Sequence, residues 1–159
     1  HCGLVGSEMC IRDRAMHMLQ YEIPLQTGEV KDVVGLFNHD NFARSLPETK
    51  MVLHGALQNG NHSLVAFGRW VSDYETTRAL DPIAQSRGYT QDIDSFFTVD
   101  LKYSYNFEMN NNDLLLTLGM TNALDEEVPL VYDAANWSYD PKHHDPRGRM
   151  VYVLSLIHI

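Results

Sequence analysis

Three groups of residues in this 159-residue chain carry donor or acceptor chemistry. His143, His144 and Asp145 stand in a row with Asp140 nearby, donor types that bind metal ions. Neighbours on an extended segment point in different directions, and no further well-spaced ligand accompanies them. No metal site is therefore assigned, and a hydrated, turn-rich loop is expected instead. Asp125-Glu126-Glu127, Asp133, Asp140 and Asp145 make the same stretch acidic. Hard cations such as Ca²⁺ take such oxygen donors, but the charge serves equally to keep a long loop hydrated. Trp137 and Tyr139 lie in this loop and are the candidate ligand-binding residues, because exposed rings stack on apolar ligand faces. Packing of the loop over the structure beneath it is the favoured alternative. For catalysis the chain offers no serine in a nucleophile elbow and no glycine-rich phosphate loop, so neither an enzyme nor a cofactor is expected.

Such residues need elements to position them, and the composition limits which. The net charge of −9 argues against a nucleic-acid surface, which needs clustered Lys and Arg. Hydrophobic residues make up 44%, yet the uncharged apolar runs fall far short of the ~20 residues of a membrane-spanning helix. A membrane strand needs only about 9–11 residues of alternating character.

Alternation of that kind recurs along the chain. The clearest run puts Phe97, Val99, Leu101, Tyr103, Tyr105 and Phe107 on one side, with Thr98, Asp100, Lys102, Ser104 and Asn106 on the other. Asp100, Lys102 and Ser104 are expected to satisfy one another or to line an interior. Further strands are predicted over 17–23, 49–57, 62–74 and 114–122, with a last one starting near Gly148. The 62–74 run is ambiguous, because Val65, Phe67 and Val71 share a side with Arg69. Gln58-Asn59-Gly60-Asn61 and Asn110-Asn111-Asn112-Asp113 predict tight turns. Long polar connections at 24–46, 75–94 and 125–146 alternate with these short turns. Outer-membrane barrels segregate loop length in this way, and soluble meanders have no reason to. Trp70, Tyr74, Phe96 and Phe97 near one end, and Tyr103, Tyr105 and Phe107 near the other, are placed like two interfacial girdles.

The two ends differ in character from the rest. Met9-Cys10-Ile11-Arg12-Asp13-Arg14 and Leu154-Ser155-Leu156-Ile157-His158-Ile159 translate one sequencing-adapter oligonucleotide in its two orientations. Residues 1–14 and 154–159 are accordingly set apart as translated adapter, leaving 15–153 as the authentic segment. The adapter stretch Glu8–Arg14 holds two acids and two bases, so the net charge is unchanged without it. Both cysteines, Cys2 and Cys10, fall outside 15–153.

With these elements in place, Leu118-Gly119-Met120-Thr121-Asn122-Ala123-Leu124-Asp125-Glu126-Glu127-Val128-Pro129 resembles the penultimate-strand motif of TonB-dependent receptors. Tyr139 to Val153, with Arg147-Gly148-Arg149 opening a strand, resembles the last loop and final strand of that family. Leu46-Pro47-Glu48-Thr49-Lys50 and Asp94 to Leu101 resemble two earlier strand starts. The family closes on a strand ending in an aromatic residue, and this chain departs from that pattern at its end. The resemblance implies an all-β fold: an antiparallel transmembrane β-barrel, of which 15–153 is the C-terminal part, about six meandering strands of a 22-stranded wall. It implies an outer-membrane active transporter of the bacterial cell for a scarce ligand such as a siderophore, vitamin or oligosaccharide. Its partners would be outer-membrane lipid, an N-terminal plug domain and the inner-membrane TonB energy-coupling complex. Two other classes are kept: a secreted soluble β-sandwich that binds carbohydrate, and a passive porin.

Overall fold

A computed structural model describes residues 8–25, 27–38, 45–109, 112–132 and 138–158. In chain order the elements are β1 (Glu8–His17), β2 (Glu22–Pro24), β3 (Val30–Asp32), β4 (Leu36–Phe37), β5 (Ser45–Leu46), β6 (Thr49–Asn59) and β7 (His62–Val71). They continue with β8 (Tyr74–Thr76), a short helix α1 (Pro82–Ser86), β9 (Asp92–Ile93), β10 (Phe96–Met109), β11 (Asn112–Thr121) and β12 (Met150–His158). The protein is all-β. Six long strands form one antiparallel sheet in the order β1-β6-β7-β10-β11-β12, a meander in sequence order.

Period-two alternation and the strand register assign every side chain of this sheet to a face. Tyr103 lies opposite Leu64 and Leu118, Leu57 opposite Leu64, and Leu118 opposite Val153. The face holding the odd-numbered residues of β10 therefore also carries Met51, Leu53 and Leu57 of β6 and Leu64, Ala66, Gly68 and Trp70 of β7. From β6 to Val153 this face has no charged residue between Met51 and Leu57, Leu64 and Trp70, Phe97 and Phe107, or Leu114 and Met120. Lys50, Arg69, Asp100, Lys102 and Glu108 all lie on the other face. The ambiguous run resolves here: Arg69 is opposite Thr98, and Phe67 shares its face, with its ring 4.5 Å from that of His54.

Burial is the reverse of that in a water-soluble sheet. Leu53 is 54% exposed and Leu118 48%, while Ser104 on the polar face is 6% exposed. Its hydroxyl meets that of Thr117, opposite it on β11, at 2.8 Å. Among the described residues no second sheet covers the apolar face, as a β-sandwich requires.

Most of the buried apolar residues lie in the long connections, joined by Val71 and Phe96 at the adjacent ends of β7 and β10. Phe37, Val71, Tyr74, Ile93 and Val131 form one cluster, and Ile23 and Val33 with Leu46 form a second. Two small sheets frame them, the β2–β3 pair and β5-β4-β8-β9, and the latter contains the molecule's one parallel pairing among the described residues, β4 with β8. The three long connections thus fold together into a layer at one end of the sheet.

Several expectations shift. The strand predicted over 17–23 is displaced: β1 covers Glu8–His17, and Glu22–Pro24 turns away to pair with β3. The free edge of β6 accepts whichever adjoining segment can extend, and of the apolar residues alternating over 19–23 only Ile23 is buried in the loop layer, Leu19 and Tyr21 being exposed. Register then sets Asp13 among the outward apolar side chains, opposite Leu53. The run 62–74 ends as a strand of the long sheet at Val71. The β6–β7 turn is Gly60-Asn61, one residue beyond the Asn59-Gly60 centre; Gly60 alone has positive φ (+54°), as the first central position of a type II′ turn needs. The turn expected at 110–113 lies partly outside the described residues, and Met109 pairs with Asn112 across it. Trp70 and Phe97 are paired on the apolar face, but Tyr74 and Phe96, expected beside them, are buried. Phe96 precedes Phe97 by one residue and so faces the opposite side; Tyr74 lies beyond the end of β7, in β8.

Candidate functional site: a recess beneath the last loop

The polar face of the sheet and the loop layer border a recess of about 570 Å³. Its floor is formed by the ends of β6, β7, β10 and β11, including Arg69, Thr98 and Asp100. Its roof is the segment from His143 to Gly148. The floor charges are matched: an Arg69 guanidinium nitrogen lies 2.7 Å from an Asp100 carboxylate oxygen, whose second oxygen accepts from the Asn122 backbone N–H at 3.0 Å. Asp100 thus stabilises both the neighbouring strand and the turn that leaves β11.

The motif that carried the family resemblance builds that turn. Asn122 adopts φ +46°, tolerable for Asn, and its side chain bonds Glu126 both ways, donating to its carbonyl at 2.9 Å and accepting its N–H at 3.0 Å. Asp125, at φ +59°, accepts the Arg149 backbone N–H at 3.0 Å and so aligns the start of β12.

The roof hangs from one buried carboxylate. Asp140 is 1% exposed. One oxygen accepts from the Tyr74 hydroxyl at 2.8 Å and from the Ser45 hydroxyl, and the other accepts the Lys142 N–H at 2.9 Å. This clamp joins all three long connections through residues separated by 95 and 66 positions. Tyr74 loses acidity, its hydroxyl held protonated by burial and by the adjacent Asp140 charge.

The candidate metal ligands diverge from this point. His143 meets Lys50 Nζ at 3.2 Å, and burial with that ammonium nearby lowers its pKa. His144 is 3% exposed, between the rings of Phe96 (5.0 Å) and Tyr74 (6.1 Å), and neither ring nitrogen has a hydrogen-bond partner. Asp145 is paired with Arg147, the closest nitrogen–oxygen distance being 2.5 Å, which holds its carboxyl below the usual range. No group of three such residues converges among the described residues.

Of the two candidate ligand-binding residues, Trp137 lies outside the described residues. Tyr139 is half-buried beside the Asp140 clamp and lines a shallow depression with His143 and His144. Sequence reasoning missed Ser45 and Tyr74 as clamp residues, and no local signal marks either. It also passed over Asp81-Pro82 as a helix start. Asp81 caps α1 by accepting the Ala84 N–H at 2.7 Å and takes the Tyr132 hydroxyl at 2.8 Å. These hydrogen bonds hold its carboxyl below the usual range.

No protein-family model, curated protein or solved structure matches this chain.

Proposed function

We propose that this chain is a wall segment of an outer-membrane β-barrel, from the C-terminal part of a TonB-dependent transporter that takes up a scarce ligand. One observation carries the reading: the strand register gathers the apolar side chains of β6, β7, β10 and β11 into a continuous uncharged band, with the charges on the opposite face. In water that band would be a large exposed liability; against acyl chains it is the required surface. Its height also suits a bilayer. Ten residue steps separate Phe97 from Phe107, about 33 Å along the strand, or about 25 Å normal to the membrane at a tilt of ~40°. The long connections at one end and tight turns at the other match a barrel with an elaborated outer mouth. Among the described residues the outermost strands, β1 and β12, each pair on one side only, so the sheet is open rather than closed on itself, as a piece of a larger wall would be.

The test places single cysteines at Val99, Leu101 and Tyr103, and at Thr98 and Ser104, in the protein expressed with its upstream reading frame. The first set is expected to react with a lipid-phase probe, and the protein to sediment with outer membranes and migrate heat-modifiably on gels. Crosslinking of the first set to protein, or solubility without detergent, would overturn the assignment.

A further inference from the structure

The last loop is fastened over the recess by the Asp140 hydrogen bonds, with the His144 imidazole packed beside them. His144 fills the slot between Tyr74 and Phe96 and is almost fully enclosed, with both ring nitrogens unpartnered. The carboxylate beside it, Asp140, is already occupied by Ser45, Tyr74 and the Lys142 N–H. The same segment supplies His143, Asp145, Arg147 and Gly148 to the roof of the recess. Released, it would uncover the Arg69–Asp100 floor.

We propose that the segment 138–148 is a proton-released lid, with His144 as its trigger and the Asp140 clamp as its latch.

A neutral ring fits the aromatic slot at the cost of its unpaired nitrogens. An imidazolium there would carry two N–H donors without acceptors. Asp140 could receive one only by giving up Tyr74 or Ser45, which undoes the latch. The groups around His144 do not otherwise compensate. From its own segment come Asp140, which favours the charged ring, and His143, which opposes it. Lys142 lies close by on the same segment and adds positive charge near Lys50. β8 contributes Tyr74, held protonated, and β10 contributes uncharged Phe96. β5 contributes uncharged Ser45, and β6 contributes Lys50 against His143. Asp145 is engaged by Arg147 and lies in the field of Arg69 of β7. Burial, the largest cause, brings His144 down from 6.5 to about 4 in the closed form. The closed lid therefore binds fewer protons than the open one. Its advantage is complete above the ordinary histidine range and is lost as pH falls through that range toward the closed-state value.

Hydrogen exchange of the full chain in detergent micelles, corrected for intrinsic rates, tests this at about pH 7 and about pH 4. Protection of 138–148 is expected to fall about tenfold or more at the lower pH, with β10 unchanged. His144→Phe fills the slot without a titratable group and is expected to keep the lid protected at both values. Where that variant does not fold, His144→Gln serves in its place. An equal loss in the variant, an unchanged lid in the parent chain, or a lid unprotected near neutrality overturns the proposal. None of these outcomes depends on whether the outward face meets lipid.

Discussion

Glycine 119 shows how tightly single side chains set the polar face of the sheet. It lies opposite Tyr152 on β12, and a Cβ placed on it would stand 2.0 Å from the tyrosine ring. The ring lies flat on bare backbone, which needs a residue without a side chain. Gly119→Ala is therefore expected to destabilise the β11–β12 pairing by about 1–3 kcal/mol. Tyr152→Ala in the same chain removes the obstruction, so the double variant should recover most of that loss. Denaturant unfolding in micelles, analysed as a double-mutant cycle, measures the coupling; full additivity would show that the contact carries no energy. The Asp140 clamp is the other residue-scale device. Asp140 was visible in the sequence as an acid near two histidines, but its partners Ser45 and Tyr74 lie 95 and 66 residues away. No local pattern marks a hydrogen bond closed over such distances.

At the scale of elements, period and propensity are local, and the long strands were accordingly legible. β10 was predicted from six apolar positions in strict alternation, and β11 from Leu114, Leu116, Leu118 and Met120 on one face; both strands form, with those residues on one face of the sheet. β7 was ambiguous because Arg69 shares its face with Val65 and Phe67. Only pairing with β10, which sets Arg69 beside Asp100, decides the matter. The small strands of the long connections were not legible, being two or three residues long and paired across the chain, as in β4 with β8. The face assignment makes a direct prediction. Leu101 and Lys102 are adjacent in β10 but on opposite faces. On the membrane reading, Leu101→Lys places a charge near the middle of the apolar band and is expected to cost about 2–4 kcal/mol. Lys102→Gln on the polar face should stay within about 0.5 kcal/mol. Unfolding from lipid vesicles compares the two, and equal costs would mean that the two faces see the same solvent.

At the scale of the whole molecule, one layer is packed and the other is unfinished. The loop layer has its own apolar clusters and the Asp140 clamp. Among the described residues the six-stranded sheet has no further strand beside β1 or β12, and its apolar face is largely open to its surroundings. The 159-residue chain in water without detergent is therefore expected to self-associate through both features. Sedimentation velocity checks this: large species in water and a single small species in micelles are expected. A monodisperse monomer in water would show that the apolar band is covered by something else.

The amino-acid order by itself determined the periods of the long strands, the tight turn after β6, the alternation of long connections with short ones and the separation of apolar from charged side chains. Each of these depends on neighbours within a few positions, where backbone geometry and the alternation of side chains act directly. Only the tertiary structure decided which way β7 faces, that the long connections fold into a single layer, and that Asp140 and His144 are structural residues at its centre. Those outcomes rest on contacts between segments far apart in the chain. Burial and hydrogen-bond pairing exist there only once the sheet has brought the segments together.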